Sequence, residues 1–239
     1  MEIPKHIYMC HKIKENVDTF SAPKWQTLNP DYEIHTYGND ECIAFLRSEY
    51  GQRYVDIFNH IRNGPIKGDF WRVCILYKYG GVYADADIDP LVPISDFLEQ
   101  GVQFLTSGSY QAGLLNPHFI VSVAGNPVLK ECIDSYVEYY NTGHPYSYWG
   151  WSITNIMIAP LRKQTGSFKE GVHGAYQLIS EIWPTGGALM NVYCSYKGQK
   201  IMMNRSGNYN PNTHNFNQTD NTPSTKTRRF FNVRTLSWR

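Results

Sequence analysis

Residues 75–91 read ILYKYGGVYADADIDPL: an apolar run, a Gly-Gly turn and three aspartates on alternate positions, Asp85, Asp87 and Asp89. Aspartate is depleted in strands, and neighbouring carboxylates repel each other unless a positive charge lies among them. In an extended segment alternate side chains face the same way, so two of these carboxylates can share one ion. The pattern therefore predicts a site for a hard divalent cation at the end of a strand.

The stretch lies within an alternation of helices and strands. We expect a helix over 64–79, with Pro65 near its start and Gly80 at its end, followed by a strand over 82–88. Periodicity and turn residues predict further strands at 3–11, 32–38, 102–110 and 118–125, helices at 39–51, 53–61, 126–141 and in the second half of 146–164, and a short hairpin within 185–204. This order is typical of an α/β domain.

The composition argues against two broad classes of protein. The chain has 239 residues, of which 42% are hydrophobic and 18% charged, and its formal net charge is +1. It is large and apolar enough for one sizeable core. It lacks the positive charge of a typical nucleic-acid-binding protein and the acidity of a disordered acidic chain. We therefore expect a single folded domain that does not bind nucleic acid.

Basic residues concentrate towards the end of the chain. Beyond residue 182, eight lysines and arginines stand against a single acid, Asp220. A solvated basic tail fits this pattern, and so does a segment that faces phosphates or an acidic membrane surface. Both interpretations stay open, and the second adds a peripheral membrane contact as a hypothesis.

The cysteines and the first residues bear on location. The five cysteines are widely spaced and form no C-x-x-C pair, which indicates reduced, mostly buried thiols rather than a disulfide framework or a zinc site. The opening MEIPKHIYMC lacks the basic start and long apolar stretch of a signal peptide. We therefore expect a cytoplasmic protein, with any membrane contact peripheral.

Two more specific interpretations of the aspartates also place a metal ion at such a motif. A calcium loop of the EF-hand type is excluded because Pro90 occupies the position that requires a left-handed turn. A metal-dependent phosphohydrolase of haloacid-dehalogenase type also places two aspartates at a strand end, and it stays open as an alternative. For Asp89, which precedes Pro90, a simple turn is the favoured interpretation.

A longer stretch carries a family resemblance. Residues 66–94, IKGDFWRVCILYKYGGVYADADIDPLVPI, resemble the DXD-motif glycosyltransferases, which include the fungal initiating mannosyltransferases, bacterial capsular sugar transferases and, distantly, the glucosylating toxins. The matching positions are Asp69, Arg72, Tyr79, Gly80, Gly81, Tyr83, Asp85 and Asp87. Looser similarity extends over residues 3–133.

The resemblance implies an α/β fold with a single glycosyltransferase A-type domain over residues 1–239, built on a mostly parallel mixed sheet flanked by helices. Its nucleotide-sugar-binding half would span 1–105 and its acceptor half 106–239. We expect a mobile loop at about 206–227, which is rich in Asn, Thr, Ser and Pro, and a lid at the C-terminus.

The resemblance also implies a metal site. Asp87 would bind Mn²⁺ or Mg²⁺ directly, and Asp85 would orient the ribose, the sugar or a metal-bound water, so that both are the predicted catalytic residues. Ser237 would complete the shell, and His214 is a further candidate ligand. The predicted metal ligands are therefore Asp85, Asp87, Ser237 and His214.

The donor-binding residues follow from the same resemblance. Asp69 and Arg72, three residues apart on a helix, would hold the hydroxyls of the donor sugar, although the same spacing fits a surface ion pair. Tyr8 and His11 would meet the base, and Trp238 would cover the donor. The full predicted set is Tyr8, His11, Asp69, Arg72, Tyr83, Asp85 and Trp238.

The expected function is metal-dependent transfer of a hexose from a UDP- or GDP-sugar to a glycan or a lipid-linked saccharide, with retention of anomeric configuration. Besides the phosphohydrolase, a non-catalytic carbohydrate-binding domain stays open as an alternative. Neither alternative requires the helix that carries Asp69 and Arg72.

Overall fold

The computed structural model describes residues 2–184, 192–205, 209–210 and 215–216. The predicted mobile loop lies largely outside the described residues, and the predicted lid lies wholly outside them. All five cysteines are described, none of them lies in a disulfide, and four of them are buried, as expected for most of these thiols. Within the described part of the chain no helix combines the length and the apolar character needed to cross a membrane.

The first half of the chain alternates strands and helices, as predicted. Its elements are β1 (His6–Cys10), α1 (Lys14–Asn16), a π-helical turn (Val17–Ser21), α2 (Ala22–Leu28), β2 (Glu33–Tyr37), α3 (Asn39–Tyr50), α4 (Gln52–His60), α5 (Gly64–Tyr79), β3 (Gly81–Ala84) and β4 (Ile88–Pro90). The helix expected over 64–79 is confirmed as α5.

The second half continues with a short 3₁₀ turn (Ile94–Asp96) and then with β5 (Phe104–Gly108), β6 (Leu115–Ser122), α6 (Pro127–Thr142), α7 (Tyr148–Trp151), α8 (Ile153–Ile156), α9 (Ile158–Thr165), β7 (Gly171–His173), β8 (Tyr176–Ile182), β9 (Tyr193–Tyr196) and β10 (Gln199–Asn204). Strands β9 and β10 are the predicted hairpin. A two-residue pair, β11 (Tyr209–Asn210) with β12 (Asn215–Phe216), stands apart.

The prediction of one strand over 82–88 is wrong. The chain leaves β3 after Ala84, turns through Asp85–Asp87 and begins β4 at Ile88. Strand β3 pairs with β1 and β6, whereas β4 pairs with β10 at the far end of the sheet. The aspartates therefore do not line one face of a single strand. Asp85 and Asp87 lie in the turn, which we call the aspartate turn (residues 85–87), and Asp89 lies in β4.

Among the described residues one mixed sheet runs in the order β2-β1-β3-β6-β5-β8-β9-β10-β4, with β7 beside β8. The pairs β1–β2, β1–β3 and β5–β8 are parallel, and the other pairs in this sheet are antiparallel. The α/β class and the mixed sheet with flanking helices are confirmed. The expectation that the sheet is mostly parallel is not, because its second half is built from hairpins.

Two apolar clusters cover the two faces of the sheet. Tyr8 and Tyr83 point to the face covered by α3–α6. Their strand neighbours Ile7 and Val82 point to the opposite face, where they meet Trp25 of α2. This alternation on β1 and β3 is the period of two expected for strands that are buried on both sides. This packing on both faces fixes the position of the end of β3, where the aspartate turn begins.

Candidate active site

The backbone of the aspartate turn is fixed by hydrogen bonds to several parts of the fold. The Asp85 N–H donates to the His118 carbonyl of β6 at 2.9 Å, and the Ile88 N–H donates to the Asp85 carbonyl at 3.0 Å. The Ser21 hydroxyl donates to the Ala86 carbonyl. Because β6, the π-helical turn before α2 and the turn itself all contribute, the two carboxylates are presented from a defined loop.

Arg72 of α5 connects the predicted site residues. Its Nη2 lies 3.0 Å from Oδ1 of Asp69 and 2.9 Å from Oδ1 of Asp85. Its Nη1 donates to the Pro117 carbonyl at 2.5 Å, and the guanidinium lies over the ring of Tyr83, 4.4 Å from the centroid. The side chain is only 5% exposed. The Asp69–Arg72 pair is therefore buried and linked to the aspartate turn, so the alternative of a surface ion pair is wrong.

The charges in this cluster are strongly coupled. Burial raises the pKa of Asp69 to about 6, although the Arg72 charge and the Ile153 N–H, which donates to Oδ2 at 3.1 Å, both act to lower that pKa. Burial is the largest single effect and lowers the pKa of Arg72, but the charges of Asp85, Tyr83, Asp69 and Cys10 together outweigh it, so the pKa is raised. Arg72 is thus a permanent cation between two carboxylates.

Asp85 has its position set through a single oxygen. Tyr83 donates its hydroxyl to Oδ1 of Asp85 at 2.7 Å, and Arg72 contacts the same oxygen. The Asp85 side chain is still 29% exposed. The carboxylate is therefore oriented by buried neighbours on one side and open to solvent on another, as a ligand or substrate contact requires.

Asp87 differs from Asp85 because no cationic side chain among the described residues forms an ion pair with it. Burial, with the nearby charge of Asp85, raises the pKa of Asp87 to about 7. Two close carboxylates, one without a cation of its own, form an oxygen donor set that suits Mg²⁺ or Mn²⁺. The residues present therefore fit the divalent ion that the sequence predicts. Of the other predicted ligands, Ser237 and His214 lie outside the described residues.

Asp89 has a structural role. Lys24 contacts both of its carboxylate oxygens, at 2.9 and 2.8 Å, and Nε of Arg205 donates to Oδ2 at 2.9 Å. Two cations already balance its charge, which supports a structural role over a ligand role, but the predicted turn at Asp89 is wrong because the residue lies in β4 and pairs with Met203. These contacts hold β4 to α2 and to the end of β10.

The two residues predicted to meet the base lie at different depths. Tyr8 is 4% exposed and stacks on His35, with ring centroids 5.1 Å apart. It lies in the core, and the structure does not bring it into the Arg72 cluster. His11 follows β1 at the same sheet end as Asp85, and its Nδ1 accepts the Ile13 N–H at 3.0 Å. Trp238, the third donor-side prediction, lies outside the described residues.

Sequence reasoning missed an aromatic pair near the site. Tyr148 and Trp149 of α7 are 41% and 49% exposed, with ring centroids 5.1 Å apart. Partial burial raises the pKa of Tyr148 to about 12, with smaller contributions from the charges of Asp69 and Asp85. The run YWGW contained the signal, but only the fold shows that α7 leads into α8, where the Ile153 N–H donates to Asp69 of α5.

Comparison with known proteins identifies the first part of the chain. Residues 17–104 match the family model described as "Glycosyltransferase sugar-binding region containing DXD motif". This segment is therefore similar to the sugar-binding region of DXD glycosyltransferases. The matched segment contains Arg72, Asp85 and Asp87, so the network described above lies inside it. The resemblance predicted from residues 66–94 is confirmed.

Curated relatives agree with this relationship. An initiation-specific alpha-1,6-mannosyltransferase of Candida albicans is 28% identical over 146 residues, 56% of this chain and 36% of that protein. A human alpha-1,4-N-acetylglucosaminyltransferase is 34% identical over 41% of this chain and 25% of that protein. A mannosyl phosphorylinositol ceramide synthase of Saccharomyces cerevisiae is 29% identical over 41% of this chain and 28% of that protein. The matches span about a third or less of each relative.

A solved structure supports the fold of the DXD region and beyond. The PaToxG glycosyltransferase superposes with a TM-score of 0.53 over 70% of this chain and 71% of that chain, at 15% sequence identity. At this identity the likeness concerns the fold alone. The α/β glycosyltransferase architecture expected from the sequence is therefore confirmed.

Proposed function

We propose that this chain is a metal-dependent glycosyltransferase that moves a hexose from a UDP- or GDP-sugar to a glycan or lipid-linked saccharide. One observation carries the proposal: the aspartate turn presents Asp85, oriented by buried Arg72, beside Asp87, which forms no ion pair with any described cationic side chain. A pair of carboxylates at a strand end can hold a divalent ion, and such an ion neutralises the diphosphate of a sugar-nucleotide donor.

The chemistry assigns a separate task to each side chain. A divalent ion, when bound, neutralises the negative charge that grows on the diphosphate leaving oxygen. Asp87 and Asp85 would hold that ion, and Arg72 and Tyr83 keep the Asp85 carboxylate in one orientation. Asp69 keeps Arg72 in place from the other side. We propose retention of configuration, in line with the family resemblance.

We propose that Tyr148 and Trp149 form part of the acceptor site. Both rings are exposed on α7, which leads into α8, where the Ile153 N–H donates to Asp69. Aromatic faces pack well against the apolar faces of sugar rings. Trp149→Ala should raise the KM for the acceptor and leave the affinity for the donor nucleotide unchanged. Equal losses in both constants would assign the pair to the donor instead.

Two observations support a lipid-linked acceptor. The yeast relative is named a mannosyl phosphorylinositol ceramide synthase, and the basic residues beyond 182 suit an acidic membrane surface. We propose a lipid-linked acceptor with peripheral membrane contact. Flotation with anionic vesicles tests this contact. An Arg228→Ala, Arg229→Ala double variant should bind the vesicles less than wild type does. Equal binding would contradict the proposed membrane contact.

A thermal-shift panel of UDP- and GDP-sugars, with and without Mn²⁺, tests the donor site. A ligand that binds only the folded state raises the melting temperature. We expect one nucleotide class to give a Mn²⁺-dependent shift that is lost in Asp87→Ala. Asp96→Asn, which changes an exposed aspartate outside the turn, is the matched control and should retain the shift.

The other outcomes of the panel also decide between functions. A shift with sugar phosphates and none with nucleotides would favour a phosphohydrolase. Binding of free sugars without a nucleotide would favour a carbohydrate-binding domain. Either result would overturn the proposed transferase.

A further inference from the structure

Two histidines and a glutamate converge on one point of the sheet surface, away from the aspartate turn. His6 begins β1, and Glu33 and His35 lie on the neighbouring edge strand β2. His6 pairs with Glu33 across the parallel strands, and His35 follows Glu33 by two residues, so all three side chains lie on one face. They are the one group of three or more His, Cys, Asp or Glu side chains in the described part of the chain that meets the geometric requirement for holding an ion.

The distances among the three side chains fit a small metal ion. Nδ1 of His6 lies 3.0 Å from Nε2 of His35 and 3.5 Å from a carboxylate oxygen of Glu33. Nε2 of His35 lies 3.7 Å from the other carboxylate oxygen. A tetrahedral ion with bonds of about 2.0–2.1 Å separates its ligands by about 3.3–3.4 Å. The three observed separations bracket this value.

The ligand atoms of these three side chains indicate the class of ion. Imidazole nitrogens suit Zn²⁺ and its transition-metal neighbours, whereas Mg²⁺ and Ca²⁺ prefer sites made of oxygens. Two histidines and one carboxylate leave the fourth position of a tetrahedral ion open. We propose that His6, Glu33 and His35 form a site for a divalent transition metal of the Zn²⁺ class, which ties edge strand β2 to β1.

The surroundings of this site are preorganised and accessible. The His35 ring stacks on buried Tyr8 at an interplanar angle of 19°, which fixes its orientation. The side chains of His6, His35 and Glu33 are 38%, 28% and 67% exposed, so an ion can enter from solvent. Without an ion, the exposed Glu33 carboxylate gains little from two partly solvated imidazoles.

The site is separate from the aspartate turn. In the parallel pairing of β1 with β3, Tyr8 stands opposite Tyr83. His6 lies two residues before that level and Asp85 lies two residues after it, a separation of roughly 13 Å along the strands. The inference therefore does not rest on the proposed function, and the two sites can be tested independently.

Calorimetric titration of the tag-free protein with Zn²⁺ tests the site. We expect one equivalent to bind to wild type, with affinity reduced at least about tenfold in Glu33→Gln and in His35→Ala, because loss of a second-sphere partner alone often costs that much. His144→Ala, which removes an exposed histidine elsewhere, should bind like wild type. Asp87→Asn should also keep this equivalent, which separates it from the DXD site.

Two further readouts keep the test decisive. Melting temperatures in EDTA identify a variant that fails to fold, and Glu33→Gln, a change at an exposed side chain of nearly the same shape, is then the deciding variant. Co²⁺ bound at the site should give the intense visible absorption of a tetrahedral ion. Absence of Zn²⁺ binding in wild type, or unchanged affinity in a folded Glu33→Gln, would overturn the proposal.

Discussion

At the scale of single residues, Arg72 sets the geometry of the site. One guanidinium contacts Asp69, Asp85 and the Pro117 carbonyl while it is almost wholly buried. Lysine carries the charge but lacks the planar fork that makes these contacts together. We therefore regard Arg72 as a positioning residue for the Asp85 carboxylate.

Arg72→Lys should lower the free energy of unfolding by about 1–3 kcal/mol, because buried acceptors lose their donors. Mn²⁺-dependent donor binding should weaken with it. Chemical denaturation and donor titration measure the two effects. The control is Arg53→Lys on α4, an exposed arginine, whose stability should stay within about 0.5 kcal/mol of wild type. An Arg72→Lys variant as stable as wild type would contradict the proposed role of the planar guanidinium.

Asp69 should leave a signature in the pH dependence of stability. Its pKa is raised to about 6 in the folded chain, against about 3.9 when unfolded, so the folded state binds more protons between these values. Its contribution to stability is therefore lost as the pH rises from about 4 to about 6. Melting temperatures of Asp69→Asn relative to wild type should rise over this range. Parallel profiles would show that the carboxyl does not titrate there.

The sequence predicted correctly which residues of the cluster lie together. Asp69, Arg72, Tyr83 and Asp85 do lie together, because a helix and the strand after it meet at one sheet end. The burial of the Asp69–Arg72 pair was not predictable, since helical spacing is the same for a buried and an exposed pair. Nor was Tyr148, whose approach depends on how α7 packs.

At the scale of elements, the Gly80–Gly81 turn joins α5 to β3 without a loop. Both glycines have positive φ, +68° and +100°. A Cβ on Gly80 would lie 2.7 Å from the Ala124 nitrogen and 3.0 Å from the Ser122 carbonyl. The turn therefore needs glycine both for its conformation and for its close approach to backbone.

Gly80→Ala should destabilise the protein by about 2 kcal/mol or more, from left-handed strain added to a backbone clash. Gly64→Ala, at the start of the same helix, is the control because a Cβ there meets nothing within 4 Å. It should be neutral or slightly stabilising. Urea denaturation compares the two, and equal stabilities would refute this account of the turn.

The break between β3 and β4 could not be predicted from the local sequence pattern. Alternation over 82–88 fits a strand, but strand pairing is a long-range property. Ile88 finds its partner in Asn204, more than a hundred residues later. Lys24 and Arg205 then neutralise Asp89, and neither contact leaves a local trace in the sequence. The helices, whose caps and periodicity are local, were predicted far better.

At the scale of the whole molecule, fold and activity should be separable. Among the described residues, the last strand of the main sheet ends at Asn204, and the last residue of either apolar cluster is Met202. The predicted contributions of Ser237, Trp238 and His214 all come later in the chain. We therefore expect the fold to form without these residues and the proposed activity to require them.

A chain ending at residue 208 should unfold cooperatively with a melting temperature close to that of the full chain. Its Mn²⁺-dependent donor binding should be lost or strongly weakened. Thermal unfolding and donor titration on both chains measure this. Full donor affinity in the shortened chain would show that Asp85 and Asp87 suffice and that the C-terminal predictions are wrong.

The most direct test is transfer itself. Wild type, Asp87→Asn and the control Asp96→Asn would be incubated with the donor selected by thermal shift, Mn²⁺ and a saccharide acceptor, and release of nucleoside diphosphate measured with and without EDTA. We predict Mn²⁺-dependent turnover in wild type and Asp96→Asn, and a loss of at least about 100-fold in Asp87→Asn. Turnover that survives EDTA, or equal rates in Asp87→Asn and wild type, would contradict a metal-dependent sugar-nucleotide site at the aspartate turn.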